Sequence, residues 1–201
     1  MSDSGELHVV FGTGPVGISV MDELVKRGRQ VRMVNRSGRA SVPGGVEVVG
    51  GDATDETFAR EASRGASVVY FALNPPYTQW TDLFPPLQAG VVEGAASAGA
   101  KLIAVENLYM YGRTDGRPLT EDLPHAADTR KGAVRAAMSQ ELMEAYASGR
   151  VRVASSCPLF TRVRGETVWK IGSGSESGLR GPSRGGKGAS IGRFLLPKIH
   201  G

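Results

Sequence analysis

The chain has 201 residues, 40% of them hydrophobic and 22% charged, with a formal net charge of +4; that balance excludes a disordered or fibrous chain and fits one globular domain. No apolar run approaches the roughly 18 residues of a membrane span, and Met1 to Glu6 lack the basic start of a secretory signal, so a cytoplasmic location is expected. Cys157 is the only cysteine, which excludes an intrachain disulfide and a cysteine-built metal cluster; no metal site is expected.

Leu7 to Phe11 is short, apolar and β-branched and reads as a strand. Gly12-Thr13-Gly14-Pro15-Val16-Gly17 follows at once, and Ile18, Val20, Met21, Leu24 and Val25 then recur at helical spacing. A strand, a tight turn and a helix around G-x-G-x-x-G make a dinucleotide-binding fingerprint with a separate demand on each glycine. The first makes the turn, the second lets a pyrophosphate approach the backbone, and the third lets the helix lie close to the strand. Amides at the helix start face the phosphates, and Pro15 fits the first turn, where its missing donor costs nothing. These six residues are expected to bind a dinucleotide; the alternative is a structural glycine turn. His8, inside the strand, reads as a packed residue.

Arg29 to Val34 reads as a second strand. The residue that ends it selects the nucleotide, because an acidic side chain accepts from a free ribose 2′-hydroxyl whereas arginine accommodates a 2′-phosphate. Asn35 stands there, followed by Arg36 and Arg39. No carboxylate is offered and two guanidiniums are, which favours NADP(H) over NAD(H); the competing reading makes them solvated loop cations. Val46 to Val49 reads as a third strand. After it, Asp52 reads either as an acceptor for the adenine amino group or equally as a loop or cap residue, and Ala53 is counted with it among the cofactor contacts.

Asp55 to Ser63 reads as a helix capped by Thr54 or Asp55, Ser67 to Leu73 as a fourth strand, and Leu83 to Ala98 as a helix with Pro85 and Pro86 in its first turn. Between them Asn74, Pro75, Pro76, Tyr77 and Trp80 wall a small pocket or pack a proline-stiffened loop. Lys101 to Val105 makes a fifth strand, Thr129 to Ala147 a long helix and Val151 to Ala154 a sixth strand. Alternating strands and helices imply an α/β fold, a three-layer, doubly wound parallel sheet of the Rossmann NAD(P)-binding type, with ligands at the carboxyl ends of the strands.

The basic excess sits at one end. Residues 155–201 hold eight of the 24 Lys and Arg, two of the 20 Asp and Glu and ten of the 28 glycines, so they carry net +6 and the first 154 residues net −2. A nucleotide-binding domain over 1–154 and a largely unstructured Gly-, Ser- and Arg-rich tail over 155–201 are expected. The tail reads as a solvated extension ahead of an RNA or anionic-membrane ligand, since aromatic residues that stack on single strands are sparse there.

Over residues 7–154 the chain resembles the extended and atypical short-chain dehydrogenase/reductases, including the NAD-dependent epimerase/dehydratases. The resemblance rests on Gly12 to Gly17, Gly51-Asp52-Ala53, Ala72-Leu73-Asn74 and Tyr111-Gly112. It implies adenine contact for Asp52 and nicotinamide-side contact for Ala72, Leu73 and Asn74. The family's proton relay, a Ser or Thr before Tyr-Gly and then Tyr-x-x-x-Lys, is altered here. Asn107 stands at the Ser/Thr position and is counted among the cofactor contacts, Lys131 replaces the tyrosine and Arg135 the lysine, and no Tyr-x-x-x-Lys occurs in the chain. Tyr109, Tyr111 and Lys131 become the catalytic candidates, with a tyrosine beside Lys131 expected to have a lowered pKa; for Tyr111 a packing role competes. Lys131 and Arg135, four apart, are expected to reach a phosphate or ribose from one helix face.

The family continues after its sixth strand into a substrate-binding lobe, which this chain is expected to lack. The change at Ser155-Ser156-Cys157 reads as a truncated or frame-shifted end, or as a short variant whose tail folds around Ile191, Phe194, Leu195, Leu196 and Ile199. Three functions are carried forward: an NADP-dependent oxidoreductase or epimerase acting on a small carbonyl or hydroxyl compound such as a sugar nucleotide; a non-catalytic dinucleotide-sensing regulator; and a truncated, inactive relative. A small-molecule partner is expected, no membrane, and nucleic acid only as the lesser reading of the tail.

Overall fold

The computed structural model of the protein describes residues 5–113, 123–156, 159–163 and 166–170. Strands β1 (Leu7–Phe11), β2 (Gln30–Asn35), β3 (Glu47–Gly50), β4 (Ala66–Phe71), β5 (Lys101–Val105) and β6 (Arg152–Ser156) pair in parallel in the order β3-β2-β1-β4-β5-β6. Four of the five connections run through helices α1 (Pro15–Lys26), α2 (Glu56–Ser63), α3 (Trp80–Ser97) and α4 (Arg130–Ala147), and β2 reaches β3 by a loop. The expected doubly wound sheet is present.

Side chains alternate across β1. Val9 and Phe11 enter a core shared with Ala59 of α2, Val91 of α3 and Met138 and Leu142 of α4, while Val10 enters a second core with Val20, Met21 and Leu24 of α1. Full burial of each such side chain contributes roughly 1.5–3 kcal/mol, so the two faces of the sheet hold two helix layers. The chain lays β1, β2 and β3 in one direction and returns to place β4 on the other side of β1. The strand ends therefore diverge between β1 and β4, where a crevice opens at the carboxyl edge.

Local signals set the helix ends. Gly14 is the N-cap of α1 with Pro15 in the first turn, Asp55 rather than Thr54 caps α2 by accepting from the Thr57 and Phe58 amides, and Thr129 caps α4 by accepting from the Gly132 amide. Most boundaries shift by one residue, β6 runs two residues past the expected Ala154 to Ser156, and two further departures bear on the site. β4 ends at Phe71, so Ala72, Leu73 and Asn74 are loop; the Ala72 amide makes one more bond, to Phe11 O at 2.9 Å, before the chain turns away. α3 starts at Trp80, which moves Pro85 and Pro86 out of the first turn and removes the donors that the Thr81 and Asp82 carbonyls would meet. The Trp80 indole donates to Pro75 O at 3.0 Å, and this tertiary anchor sets the earlier start.

An antiparallel pair, β7 (Leu159–Val163) and β8 (Glu166–Lys170), lies within the segment read as a tail. Cys157 and residues 171–201, including the apolar end around Phe194, lie outside the described residues. Among the described residues no helix is long and apolar enough to cross a membrane.

Candidate functional site

The glycine turn meets each of its three demands by a different contact. Gly12 has φ +116°, and a Cβ on it would stand 2.6 Å from Ala72 O, so the β1 and β4 ends approach only without a side chain. Gly17 lies so close to Gly12 O that a Cβ there would overlap it. Gly14 has nothing within 4 Å of its Cβ position. The Ile18 amide begins the α1 ladder on Gly14 O, which leaves the Val16 and Gly17 amides ahead of it and directed at the open space above Gly14. An anionic group fits that space on both steric and dipolar grounds.

Asn35 organises the next loop. Its Nδ2 donates to Thr13 Oγ1 at 3.0 Å and to Arg39 O at 2.9 Å, while its Oδ1 accepts from the Ser37 amide, the Ser37 hydroxyl and the Gly38 amide. Two donors and two acceptor lone pairs are thereby used. Asn35 lines the crevice, yet the polar atoms that its position assigned to a ribose hold the loop instead. The loop presents Arg36 and Arg39, both exposed, with neither guanidinium hydrogen-bonded among the described residues.

Asp52 accepts from both the amide and the hydroxyl of Thr54 at 2.9 Å. These bonds, the backbone one first, and then the charge of Arg36 hold its carboxyl below the usual range. A recess of about 240 Å³ beside it is bounded by Arg36, Ala53, Leu73 and Asn74.

The main cavity, about 570 Å³, runs along the crevice. Its walls combine the turn from Gly12 to Val16, the Asn35-Arg36 corner, Ala72 to Asn74 and Asn107, so residues from the ends of β1, β2, β4 and β5 converge. Tyr77, Trp80, Phe84 and Tyr109 form an aromatic wall, Trp80 meeting Tyr77 at 5.0 Å and Tyr109 at 5.6 Å between ring centroids. The volume lies within the roughly 300–1,000 Å³ of small-molecule sites.

Of the three catalytic candidates, Tyr109 and Lys131 line one recess together with Tyr77, and Tyr111 does not. Lys131 Nζ rests 3.1 Å from the centroid of the Tyr77 ring, in an adjoining open recess of about 710 Å³. Tyr109 has its pKa raised, first by its hydrogen bond with Tyr77 and then by burial, and not lowered as its proximity to Lys131 led us to expect. The ammonium is held on a neighbouring ring face, and Tyr77 beside it favours the protonated phenol. Tyr111 is 8% exposed and meets His125 edge-on at 5.5 Å, a packing position. Arg135 does not share Lys131's recess: it is buried beside Phe84 and Glu106 and lines the main cavity. His8 is a packed residue, with Nδ1 3.1 Å from Tyr70 Oη.

Three cavity-lining residues carried no assignment from the motifs: Phe84, Val105 and Glu106. Glu106 had a readable signal, a carboxylate directly after β5 at the sheet's ligand edge.

A parallel sheet in this strand order, with a glycine turn and a cavity at its switch point, defines a dinucleotide-binding α/β domain. The chain belongs to the NAD(P)H-binding family, whose model matches residues 12–146. Solved structures of the same fold include a UDP-galactose 4-epimerase, at 24% identity and TM-score 0.63 over 74% of this chain and 54% of that one. Another is the UDP-glucose 4-epimerase of Thermus thermophilus in complex with NAD, at 19% identity and TM-score 0.64 over 74% and 53%. A third is uronate dehydrogenase from Agrobacterium tumefaciens, at 15% identity and TM-score 0.63 over 75% and 59%. The chain therefore spans 53–59% of the length of these structures. No curated protein matches the sequence significantly.

Proposed function

We propose that the protein binds NADP(H) along the crevice and acts as an oxidoreductase or epimerase on a small carbonyl or hydroxyl compound. In this reading the adenosine 2′-phosphate sits between Arg36 and Arg39, the adenine beside Asp52 and Ala53, and the pyrophosphate over Gly14 at the start of α1. The nicotinamide half runs along Ala72, Leu73 and Asn74 toward Asn107, and when bound it supplies or takes up a hydride. The UDP-sugar epimerases that share the fold make a sugar nucleotide one candidate substrate for this chain.

One observation carries the preference for NADP(H). The β2 end offers an amide already saturated within its loop, so no carboxylate opposes a phosphate there, and the same loop holds out two guanidiniums. Fluorescence titration tests it. NADPH should bind more tightly than NADH, and the Arg36→Ala/Arg39→Ala variant should weaken NADPH by about 1–3 kcal/mol while leaving NADH unchanged. Equal affinities in the wild-type chain would overturn the preference.

A second reading, a non-catalytic dinucleotide sensor, is favoured by the relay positions, with Lys131 on the Tyr77 ring and the Tyr109 pKa raised. A screen of carbonyl and hydroxyl compounds with NADPH and NADP⁺ separates the two, since a sensor binds the dinucleotide without turnover.

A further inference from the structure

Two buried charges meet in the wall of the cavity. Glu106 directly follows β5, so the sheet delivers it to the carboxyl edge. Its side chain is 6% exposed and forms part of the cavity wall. Oε1 is shut off from solvent and has no hydrogen-bond donor. The nearest charge, Arg135 Nη2, stands 3.9 Å away, an ion pair too long to be a hydrogen bond.

Arg135 reaches this position from α4, with its guanidinium carbon 4.7 Å from the Phe84 ring centroid and Nη1 3.7 Å from Met138 Sδ. The pair balances charge and leaves acceptor capacity open. A carboxylate only accepts, at about four lone-pair sites, and a buried acceptor without a donor lowers stability. Glu106 is the one Asp or Glu among the described residues lining this cavity, and Arg36 lines the same cavity from the other side of β1.

We infer that the Glu106 carboxylate is a ligand-binding group, accepting a hydrogen bond from an O–H or N–H donor on the nicotinamide riboside half of the dinucleotide while Arg135 compensates its charge. The inference rests on the reading of the crevice as a dinucleotide site. Ribose hydroxyls and the carboxamide are the donors on that half. The ligand's phosphates offer no donor for the carboxylate, so Glu106 also favours one direction for the dinucleotide: phosphate-bearing adenosine to Arg36, uncharged riboside donors to Glu106.

The test compares a whole dinucleotide with its adenosine fragment on the full chain. Of NADPH and NADH the tighter binder is used, with adenosine 2′,5′-bisphosphate or ADP as the matching fragment lacking the nicotinamide riboside. Glu106→Ala is expected to weaken the dinucleotide tenfold or more and to leave the fragment within twofold. Because Glu106→Ala leaves Arg135 buried without its carboxylate, Glu106→Leu/Arg135→Met, which removes both charges, is titrated alongside with its melting temperature; the same split is expected. Unchanged dinucleotide affinity in both variants would overturn the inference, as would equal losses for dinucleotide and fragment, which mark a structural role. A wild-type chain that binds neither dinucleotide would refute the underlying crevice reading and the inference with it, a result distinct from either of those.

Discussion

Asn35 Nδ2 and Thr13 Oγ1 are 3.0 Å apart, so a single hydrogen bond ties the end of β2 to the glycine turn across 22 positions of sequence. The same amide group holds Arg39 O at 2.9 Å, and the geometry of the arginine loop depends on it. Asn35→Asp keeps the acceptor for Ser37 and Gly38, loses both donations and adds a negative charge beside the Arg36-Arg39 loop. We expect NADPH binding to weaken by about 1–3 kcal/mol and NADH binding by much less. Titration of both cofactors reads this; an unchanged affinity ratio would show that the loop does not read the 2′-phosphate.

Gly14 and Gly17 should separate binding from folding. A side chain at Gly14 enters open space with φ −75°, an ordinary extended value, so Gly14→Val should cost about 1 kcal/mol or less in stability and abolish dinucleotide binding by filling the pyrophosphate's place. Gly17→Ala pushes a methyl group into Gly12 O and should lower stability by about 1–3 kcal/mol. Calorimetry with and without NADPH checks both, and a Gly14→Val chain that still binds would assign the glycines to the turn alone.

Glu93 of α3 joins Arg60 of α2 to Arg150 of the turn before β6. These two hydrogen bonds, that of Arg150 first, hold its carboxyl below the usual carboxylate range. A depressed folded pKa contributes stability that is present in full above the unfolded value and is lost as pH falls through the folded one. Glu93→Gln should therefore cost about 1 kcal/mol at pH 7, a modest figure because the arginines are half exposed. Melting curves of the two chains should converge as the pH falls through and below the usual carboxylate range; a gap independent of pH would show that the carboxylate's charge is not involved.

Tyr109 and Lys131 should matter little to any turnover. Positioned general acids and bases contribute roughly 10²–10⁴-fold, but the Tyr109 pKa is raised and Lys131 is engaged on the Tyr77 ring. Tyr109→Phe and Lys131→Ala are expected to lower a measured rate by less than about tenfold. A hundredfold loss in either would reinstate the tyrosine relay.

Much of the nucleotide half was legible because its signals are local. The alternation of Val9, Val10 and Phe11 and the spacing of Val20, Met21 and Leu24 each depend on residues within a turn or two, and they predicted strand, turn and helix in the right places. The replacement of an acidic residue by Asn35-Arg36 was equally visible. Helix starts were harder: α3 begins at Trp80 and not Leu83, because the indole reaches back to Pro75 O, a contact that spacing does not display.

The amino-acid sequence by itself determined the sheet, the glycine turn and the absence of a Tyr-x-x-x-Lys relay, since periodicity, caps and motif spacing are properties of neighbouring residues. Only the tertiary structure decided where the polar groups point. Lys131 and Arg135 lie four residues apart on α4, yet one meets the Tyr77 ring and the other Glu106 and Phe84. Those partners come from the loop after β4, from α3 and from the end of β5. A buried charge settles where the packed elements supply its counter-charge, and that choice is made among residues distant in sequence.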